Sequence, residues 1–144
     1  MNWKRVKAAP LALGQRGERC AAQLLKLRGC IILARDWRRK GGELDIVALD
    51  GGTLVFVEVK TRRKLDLYRP AANLTPEQKN RIRRGAAKFL RAIDHPPVPV
   101  RFDLVEVIHD GRTLRGLQLH ENYMEMRSGR NPPAGSDACG RGRR

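Results

Sequence analysis

Residues 42–60 read GELDIVALDGGTLVFVEVK, two apolar-rich runs that flank the pair Gly51-Gly52. Two adjacent glycines between runs rich in Val, Leu and Ile predict a tight β-hairpin, because both glycines can adopt a positive φ. With a two-residue loop, residues whose numbers add up to 103 face each other across the two strands. Asp45 is then expected to lie opposite Glu58.

The two faces of this hairpin are predicted to differ in polarity, since side chains alternate along a strand. One face is wholly apolar and is expected to enter the core; it carries Leu44, Ile46, Ala48, Val55, Val57 and Val59. The other face carries Glu43, Asp45, Val47, Leu49, Leu54, Phe56, Glu58 and Lys60. Facing Cβ atoms lie ~4.5–5.5 Å apart, so two facing carboxylates repel each other. The Asp45–Glu58 pair therefore requires a bridging divalent cation, a shared proton or a Lys or Arg partner.

The charged face has the composition of a magnesium site. Mg²⁺ prefers oxygen ligands from one or two carboxylates and leaves positions for phosphate and water. Lys60 points to the same side as Glu58, where its ammonium group can neutralise a phosphate or help to activate a water. Glu18 adds a third carboxylate that borders the apolar side of a predicted helix. A solvated sheet face with charged pairs at the open end of the hairpin explains the same spacing, so both interpretations stay open here.

Helices are predicted on both sides of the hairpin. The first spans Gly14 to Arg28 and stops at Gly29; its apolar stripe is Cys20, Leu24 and Leu27, broadened by Ala21 and Leu25. The second follows Thr75-Pro76-Glu77-Gln78, a capping box with Pro at the first helical position. Its apolar stripe is Ile82, Ala86, Phe89 and Ile93, and the prolines at 96, 97 and 99 end it.

The remaining elements complete one small domain. Strands are predicted at 30–34, 44–49, 53–59, 100–108 and 113–119. The resulting order α-β-β-β-α-β-β indicates an α/β domain with a mixed central sheet of about five strands flanked by helices. We expect a flexible N-terminal arm at 1–13, the folded domain at 14–126, a mobile loop at 65–74 and a disordered basic tail at 127–144.

Charge is concentrated in blocks along the chain. The 144 residues carry 30 Lys and Arg against 15 Asp and Glu, a net charge of +15. Residues 1–40 and 60–91 each hold 11 basic and 2 acidic residues, whereas residues 41–59 hold four acids and no base. Such an excess predicts a polyanionic partner, most often nucleic acid and less often an anionic membrane. The candidate phosphate contacts are Arg62, Arg63, Arg81, Arg84 and Lys88.

Several other classes of protein are disfavoured by composition. The three cysteines have no CxxC spacing, so a disulfide framework or a thiolate zinc site is not expected. The three histidines show no ligand spacing either. No run approaches the ~18–20 apolar residues of a membrane span, and the N-terminus lacks the apolar region of a signal peptide. We therefore expect a cytoplasmic protein without a membrane partner.

Three motifs resemble the YraN-like family of small bacterial proteins: Gly14-Gln15-Arg16-Gly17-Glu18, Gly42-Glu43-Leu44-Asp45-Ile46-Val47 and Val55-Phe56-Val57-Glu58-Val59-Lys60-Thr61-Arg62. Lys79 and Arg101-Phe102-Asp103 are similar to the family pattern as well, and the match covers about residues 14–108. That family looks like a member of the restriction-endonuclease-like, or PD-(D/E)xK, superfamily, and archaeal Holliday-junction resolvases are similar to it.

The resemblance implies a restriction-endonuclease-like domain and a Mg²⁺- or Mn²⁺-dependent endonuclease acting on DNA, including structured or branched DNA. By this resemblance Asp45 and Glu58 would bind the metal together with the Val59 carbonyl. Lys60 would orient or activate the attacking water, Glu18 would complete the site, and Lys79 would be a secondary phosphate contact. Resolvase-like proteins often act as dimers, so a homodimer is one expected assembly.

Two other functions stay open on the sequence. A non-catalytic nucleic-acid-binding protein that retains the fold would show the same basic flanks. A ribosome- or chromosome-associated accessory protein whose basic segments contact RNA is the third interpretation. Cleavage of DNA in the presence of a divalent cation separates the first function from the other two.

Overall fold

The computed structural model describes residues 3–64 and 74–126, which form two helices and five strands. In chain order they are α1 (Trp3–Leu27), β1 (Ile31–Arg39), β2 (Gly42–Asp50), β3 (Thr53–Arg63), α2 (Pro76–Ala92), β4 (Val100–His109) and β5 (Leu114–Met124). This order confirms the predicted α/β class. The predicted mobile loop at 65–74, all but its last residue, and the predicted tail at 127–144 lie outside the described residues.

The five strands form one open mixed sheet in the order β1-β2-β3-β4-β5. β3 and β4 are parallel, and the other neighbouring pairs are antiparallel. Parallel neighbours need a crossover connection, and α2 lies within it. None of the helices in the described residues has the length and apolar character needed to cross a membrane.

The predicted hairpin register is confirmed. β2 and β3 pair from Asp50↔Thr53 to Ile46↔Val57, so every pair adds up to 103. Gly51 has a φ of +59°, a left-handed conformation that glycine adopts without strain.

The two faces of the sheet are covered by different helices. Buried residues of α1 pack against Ile46, Ala48, Val55 and Val57 on one face. The other face, with Phe56 and Phe102, packs against Ile82, Ala86 and Phe89 of α2.

One residue of the predicted apolar face is misplaced. Leu44 packs with Val47 and Phe56 on the α2 side rather than with Ile46 on the α1 side. Strict alternation along β2 is therefore broken between Leu44 and Ile46, at the level of Asp45.

The first helix differs from its prediction in start and in buried side. It begins at Trp3 instead of Gly14, because residues 3–13 are rich in strong helix formers that continue the helix through Pro10. Flexibility of the arm at 1–13 stays a prediction. The predicted apolar stripe was also wrong to include Leu27, which is 85% exposed. The buried side of the helix is formed by Ala21, Ala22 and Leu25 instead.

The second helix begins as predicted. The Gln78 N–H donates to the Thr75 hydroxyl at 3.2 Å, and the Thr75 N–H donates to the Gln78 side chain at 2.9 Å, so the capping box is confirmed. Ile93 caps the C-terminus and is exposed, which removes it from the predicted apolar stripe. A Cβ added to Gly42 would lie 2.6 Å from the Gly85 Cα, so only glycines allow α2 to approach β2 this closely.

Candidate functional site

The sheet splits between its second and third strands. β2 stays paired with β1 as far as Arg39↔Gly42, and β3 stays paired with β4 as far as Arg63↔His109. The pairing of β2 with β3, in contrast, ends at Ile46↔Val57. Beyond that pair the Val59 N–H donates to the Asp45 carboxylate at 2.8 Å. Asp45 therefore occupies the opening where the two strands separate.

Asp45 and Glu58 lie together in this opening, both half-buried and hydrogen-bonded to each other. Burial, the negative charge of Asp45 and this hydrogen bond raise the pKa of Glu58 to about 8. Burial also raises the pKa of Asp45, although the hydrogen bonds from Val59 and Glu58 oppose the rise. Burial and the repulsion between the two acids therefore favour a pair that shares one proton.

Lys60 follows Glu58 by two residues on β3 and is half-buried. Its positive charge opposes the rise in the pKa of Glu58, so the ammonium group lies within electrostatic range of the pair. Val59, between them, has its N–H bound to Asp45. The metal-binding role of the Val59 carbonyl stays a prediction.

Glu18 lies at the margin of the pair. Its neighbour Gly17 is buried, and a Cβ there would lie 3.3 Å from both the Thr61 hydroxyl and a methyl of Val107, so α1 lies close against β3 and β4 at this point. Burial and then the charge of Asp45 raise the pKa of Glu18. Among the side chains of residues 13–64 and 74–126, however, no three His, Cys, Asp or Glu residues are grouped so that they could hold a metal ion.

Asp36 is an acid near the site that the sequence reasoning missed. It has a φ of +47° and lies on β1 between the pairs Arg35↔Ile46 and Trp37↔Leu44, level with Asp45. Its charge raises the pKa of both Asp45 and Glu18, and its carboxylate accepts a hydrogen bond from Arg38 at 3.0 Å. The sequence offered only a weak signal, a single acid in the otherwise basic stretch Arg35–Lys40.

A second polar cluster lies beside Lys60. The residue that pairs with Lys60 on β4 is Glu106, which is 4% exposed. The Glu106 carboxylate binds Arg62 at 2.9 Å and His120 at 3.0 Å. Arg62, predicted to contact phosphate, thus binds a buried carboxylate here. Neither Glu106 nor His120 was predicted, since their meeting depends on the register between β4 and β5.

Tyr123 contributes a buried hydroxyl for which the described part of the chain offers no hydrogen-bond partner. Burial raises the pKa of this phenol, and the charges of Glu58 and Asp45 raise it further. The hydroxyl therefore lies within electrostatic range of the carboxylate pair. Its position on β5 gave no signal in the sequence.

The remaining predicted phosphate contacts lie outside the sheet opening. Lys79, Arg81, Arg84 and Lys88 are all on α2, where Arg81 and Arg84 are exposed and the two lysines half-buried. Arg84 donates to the Gly41 carbonyl at 2.8 Å, which ties the helix to the turn between β1 and β2. Arg63 is exposed at the end of β3. The structure therefore separates these residues into a helix surface and a strand end.

Comparison with known proteins gives a consistent result. A family model described as "Uncharacterised protein family UPF0102" matches residues 17–107. A UPF0102 protein from Chlorobaculum parvum is 41% identical over 113 residues, which cover 78% of this chain and 88% of the relative. A UPF0102 protein from Acidothermus cellulolyticus is 45% identical over a region that covers 72% of this chain and 88% of the relative. A UPF0102 protein from Streptomyces griseus is 48% identical over a region that covers 67% of this chain and 82% of the relative.

Proposed function

Because the chain belongs to the UPF0102 (YraN-like) family, whose description names no reaction, we propose its function from the site itself: Mg²⁺-dependent hydrolysis of phosphodiester bonds in DNA. The observation that carries the proposal is the Asp45–Glu58 pair in the opening between β2 and β3. Two half-buried carboxylates that must share a proton are a costly arrangement, and strongly perturbed acids of this kind cluster at functional sites.

The donor set fits a hard divalent cation. Asp45 and Glu58 would hold it, and the Val59 carbonyl is the third ligand that the family resemblance suggests. Mg²⁺ is commonly bound by one or two carboxylates and completes its shell with water and substrate phosphate, so a two-carboxylate site suits it. Bound there, Mg²⁺ or Mn²⁺ supplies Lewis acidity that stabilises negative charge on the scissile phosphate.

The surrounding residues have separate tasks in this proposal. Glu58 would have to hold the cation as a carboxylate, with its proton released to solvent. Lys60, on the same side of β3, contacts the scissile phosphate and orients the attacking water. Glu18 accepts a hydrogen bond from a water at the margin of the site. The basic residues of α2 hold the DNA backbone.

The test is incubation of the purified protein with linear, nicked, flap and four-way DNA, with Mg²⁺, Mn²⁺ or EDTA. Glu58→Gln is the matched variant, because glutamine keeps the size and the donor of a protonated Glu58 yet cannot become a carboxylate ligand. We expect metal-dependent cleavage by the wild type and a loss of at least about a hundredfold in the variant, with DNA binding retained. Absence of cleavage on all four substrates with both metals would overturn the proposal.

Metal binding gives a readout that does not depend on finding the right DNA. A cation that binds only the folded protein raises its thermal midpoint. We expect Mg²⁺ to raise the midpoint of the wild type and to leave that of Glu58→Gln nearly unchanged. Equal shifts in both proteins would place the cation elsewhere.

A non-catalytic nucleic-acid-binding protein is the second candidate function. The observation that favours it is that the exposed cations Arg63, Arg81 and Arg84 lie outside the sheet opening, where they can hold a phosphate backbone whether or not a cation binds. It predicts DNA or RNA binding without cleavage under any metal condition. Co-sedimentation with ribosomes would favour an RNA partner within this alternative.

A further inference from the structure

A basic groove lies between the turn that joins β1 to β2 and the C-terminal half of α2. Its volume is about 370 Å³, and it is lined by Arg39, Lys40, Lys88, Arg91 and Ala92. Four of these five residues are cationic, and none is acidic. The groove is separate from the carboxylate pair in composition and in the elements that build it.

The groove is held by rigid contacts on both sides. Arg84 fastens the turn to α2 through the Gly41 carbonyl at 2.8 Å, and a Cβ at Gly41 would lie 3.9 Å from the Lys88 ammonium. The close approach of Gly42 and Gly85 fixes the helix against β2. The cations are therefore presented by an ordered framework, which lowers the conformational cost of binding.

The groove cations have no carboxylate partner within the described residues, in contrast to five arginines elsewhere in the domain. Arg28, Arg38, Arg62, Arg101 and Arg115 each form an ion pair with an Asp or Glu. None of the ion pairs among the side chains of residues 13–64 and 74–126 involves Arg39, Lys40, Lys88 or Arg91. Four like charges around one groove repel each other, and an anion in the groove relieves this repulsion.

We propose that this groove binds the phosphodiester backbone of a DNA strand. The inference deepens the proposed function and rests on its nucleic-acid partner. The contacts are to phosphates rather than to bases, because the neighbouring aromatic ring is unavailable for stacking. Trp37 is covered by the Arg39 guanidinium at 4.7 Å from the ring centroid and packs edge-on against Phe89 at 5.4 Å. Binding is therefore independent of sequence.

The groove also lies at a useful distance from the carboxylate pair. Gly42 follows the groove residue Lys40 by two positions and precedes Asp45 by three residues on β2, about 10 Å at ~3.3 Å per residue. At ~3.4 Å per nucleotide along one strand, this distance corresponds to about three nucleotides. A strand that leaves the groove along β2 would therefore reach the opening between β2 and β3 after about three nucleotides.

The test compares two triple variants that remove the same charge. Lys40→Gln/Lys88→Gln/Arg91→Gln removes three groove cations and leaves Arg39 on Trp37. The matched control, Arg19→Gln/Lys26→Gln/Arg112→Gln, removes three exposed cations outside the groove. Binding of a fluorescent DNA duplex is measured by anisotropy over a salt series in EDTA, so that no cleavage interferes.

We expect the groove variant to bind about 10- to 100-fold more weakly than the wild type and to lower the slope of log K against log salt by about two to three. The control variant should lose less than about threefold in affinity for the duplex. Equal losses in both variants would overturn the groove assignment, even if the wild type cleaves DNA. A groove-specific loss without any cleavage would instead count against the hydrolytic function alone.

Competition with tripolyphosphate separates a nucleic-acid groove from a site for free phosphate compounds. We expect tripolyphosphate to displace DNA only at concentrations far above that of the duplex. Displacement at a concentration equal to that of the duplex would overturn the DNA assignment in favour of a small polyanion. If the triple variant does not fold, Lys40→Gln and Arg91→Gln singly should each weaken binding about threefold, and no loss in either would also refute the groove.

Discussion

The two ends of the β2–β3 hairpin differ in how the charge of their acidic residues is neutralised. At the turn end, Arg101 binds Asp50 at 2.9 Å and the buried Asp103 at 2.9 Å. At the open end, Asp45 and Glu58 take part in none of the ion pairs of the described residues and share a proton instead. The same chain thus neutralises acids with arginine where they serve the fold. A pair left without such a partner is what a site that receives a cation requires.

The largest expected effect is at the turn end. Arg101→Ala leaves Asp103, which is fully buried, without its guanidinium partner. Removing one partner of a buried ion pair costs about 3–5 kcal/mol, a large part of the ~5–15 kcal/mol that stabilises a domain. We expect the free energy of unfolding in urea to fall by this amount.

Arg115→Ala is the control for that measurement, because it breaks an ion pair with Asp110 that is exposed. Exposed pairs contribute about 0–1 kcal/mol. Similar losses in both variants would mean that Arg101 acts as a surface residue, and the contrast between the two hairpin ends would disappear.

The Asp45–Glu58 pair at the open end should make the free energy of unfolding depend on pH. The folded pKa of Glu58 is about 8, above its ordinary value of 4.5, so between these values the folded protein binds more protons than the unfolded chain. Glu58 therefore contributes stability that is complete below pH 4.5 and is lost as the pH rises through about 8. We expect the unfolding free energy of the wild type to decline across this window.

Glu58→Gln, which cannot ionise, should show a flatter profile. At pH 8 the variant should be more stable than the wild type by about 1–2 kcal/mol, since it removes the repulsion between the two carboxylates. Urea unfolding of both proteins at pH 5, 6.5 and 8 measures the difference. Parallel profiles would show that the carboxylates do not share a proton.

The same comparison explains how far the sequence could predict the site. The hairpin register followed from Gly51-Gly52, and that register alone was enough to bring Asp45 and Glu58 together. Alternation then failed at one level of the sheet, where Asp36 has a positive φ and Leu44 turns to the α2 side. Strict alternation of side chains along a strand cannot describe such a break. The position of Asp36 near the site and the packing of Leu44 on the α2 side could therefore not be predicted.

Contacts that join distant elements were equally out of reach. The burial of Glu106 with Arg62 and His120 depends on how β5 pairs with β4, and one strand's pattern does not contain that information. The helical stripe failed at Leu27 for a related reason. Several i, i+3, i+4 stripes are compatible with the sequence of α1, and packing against β3 and β4 selects the one through Ala21 and Leu25.

The smallest expected effect concerns Tyr123, whose buried hydroxyl has no partner among the described residues. A buried polar group without a hydrogen bond is destabilising, so Tyr123→Phe should leave the unfolding free energy unchanged or raise it by up to about 1 kcal/mol. Urea unfolding in EDTA and in Mg²⁺ separates two roles. If the hydroxyl is only an unsatisfied group, the gain is equal in both conditions. If Mg²⁺ reverses the gain, the hydroxyl acquires a partner when the open end is filled, and Tyr123 belongs with the carboxylate pair rather than with the core.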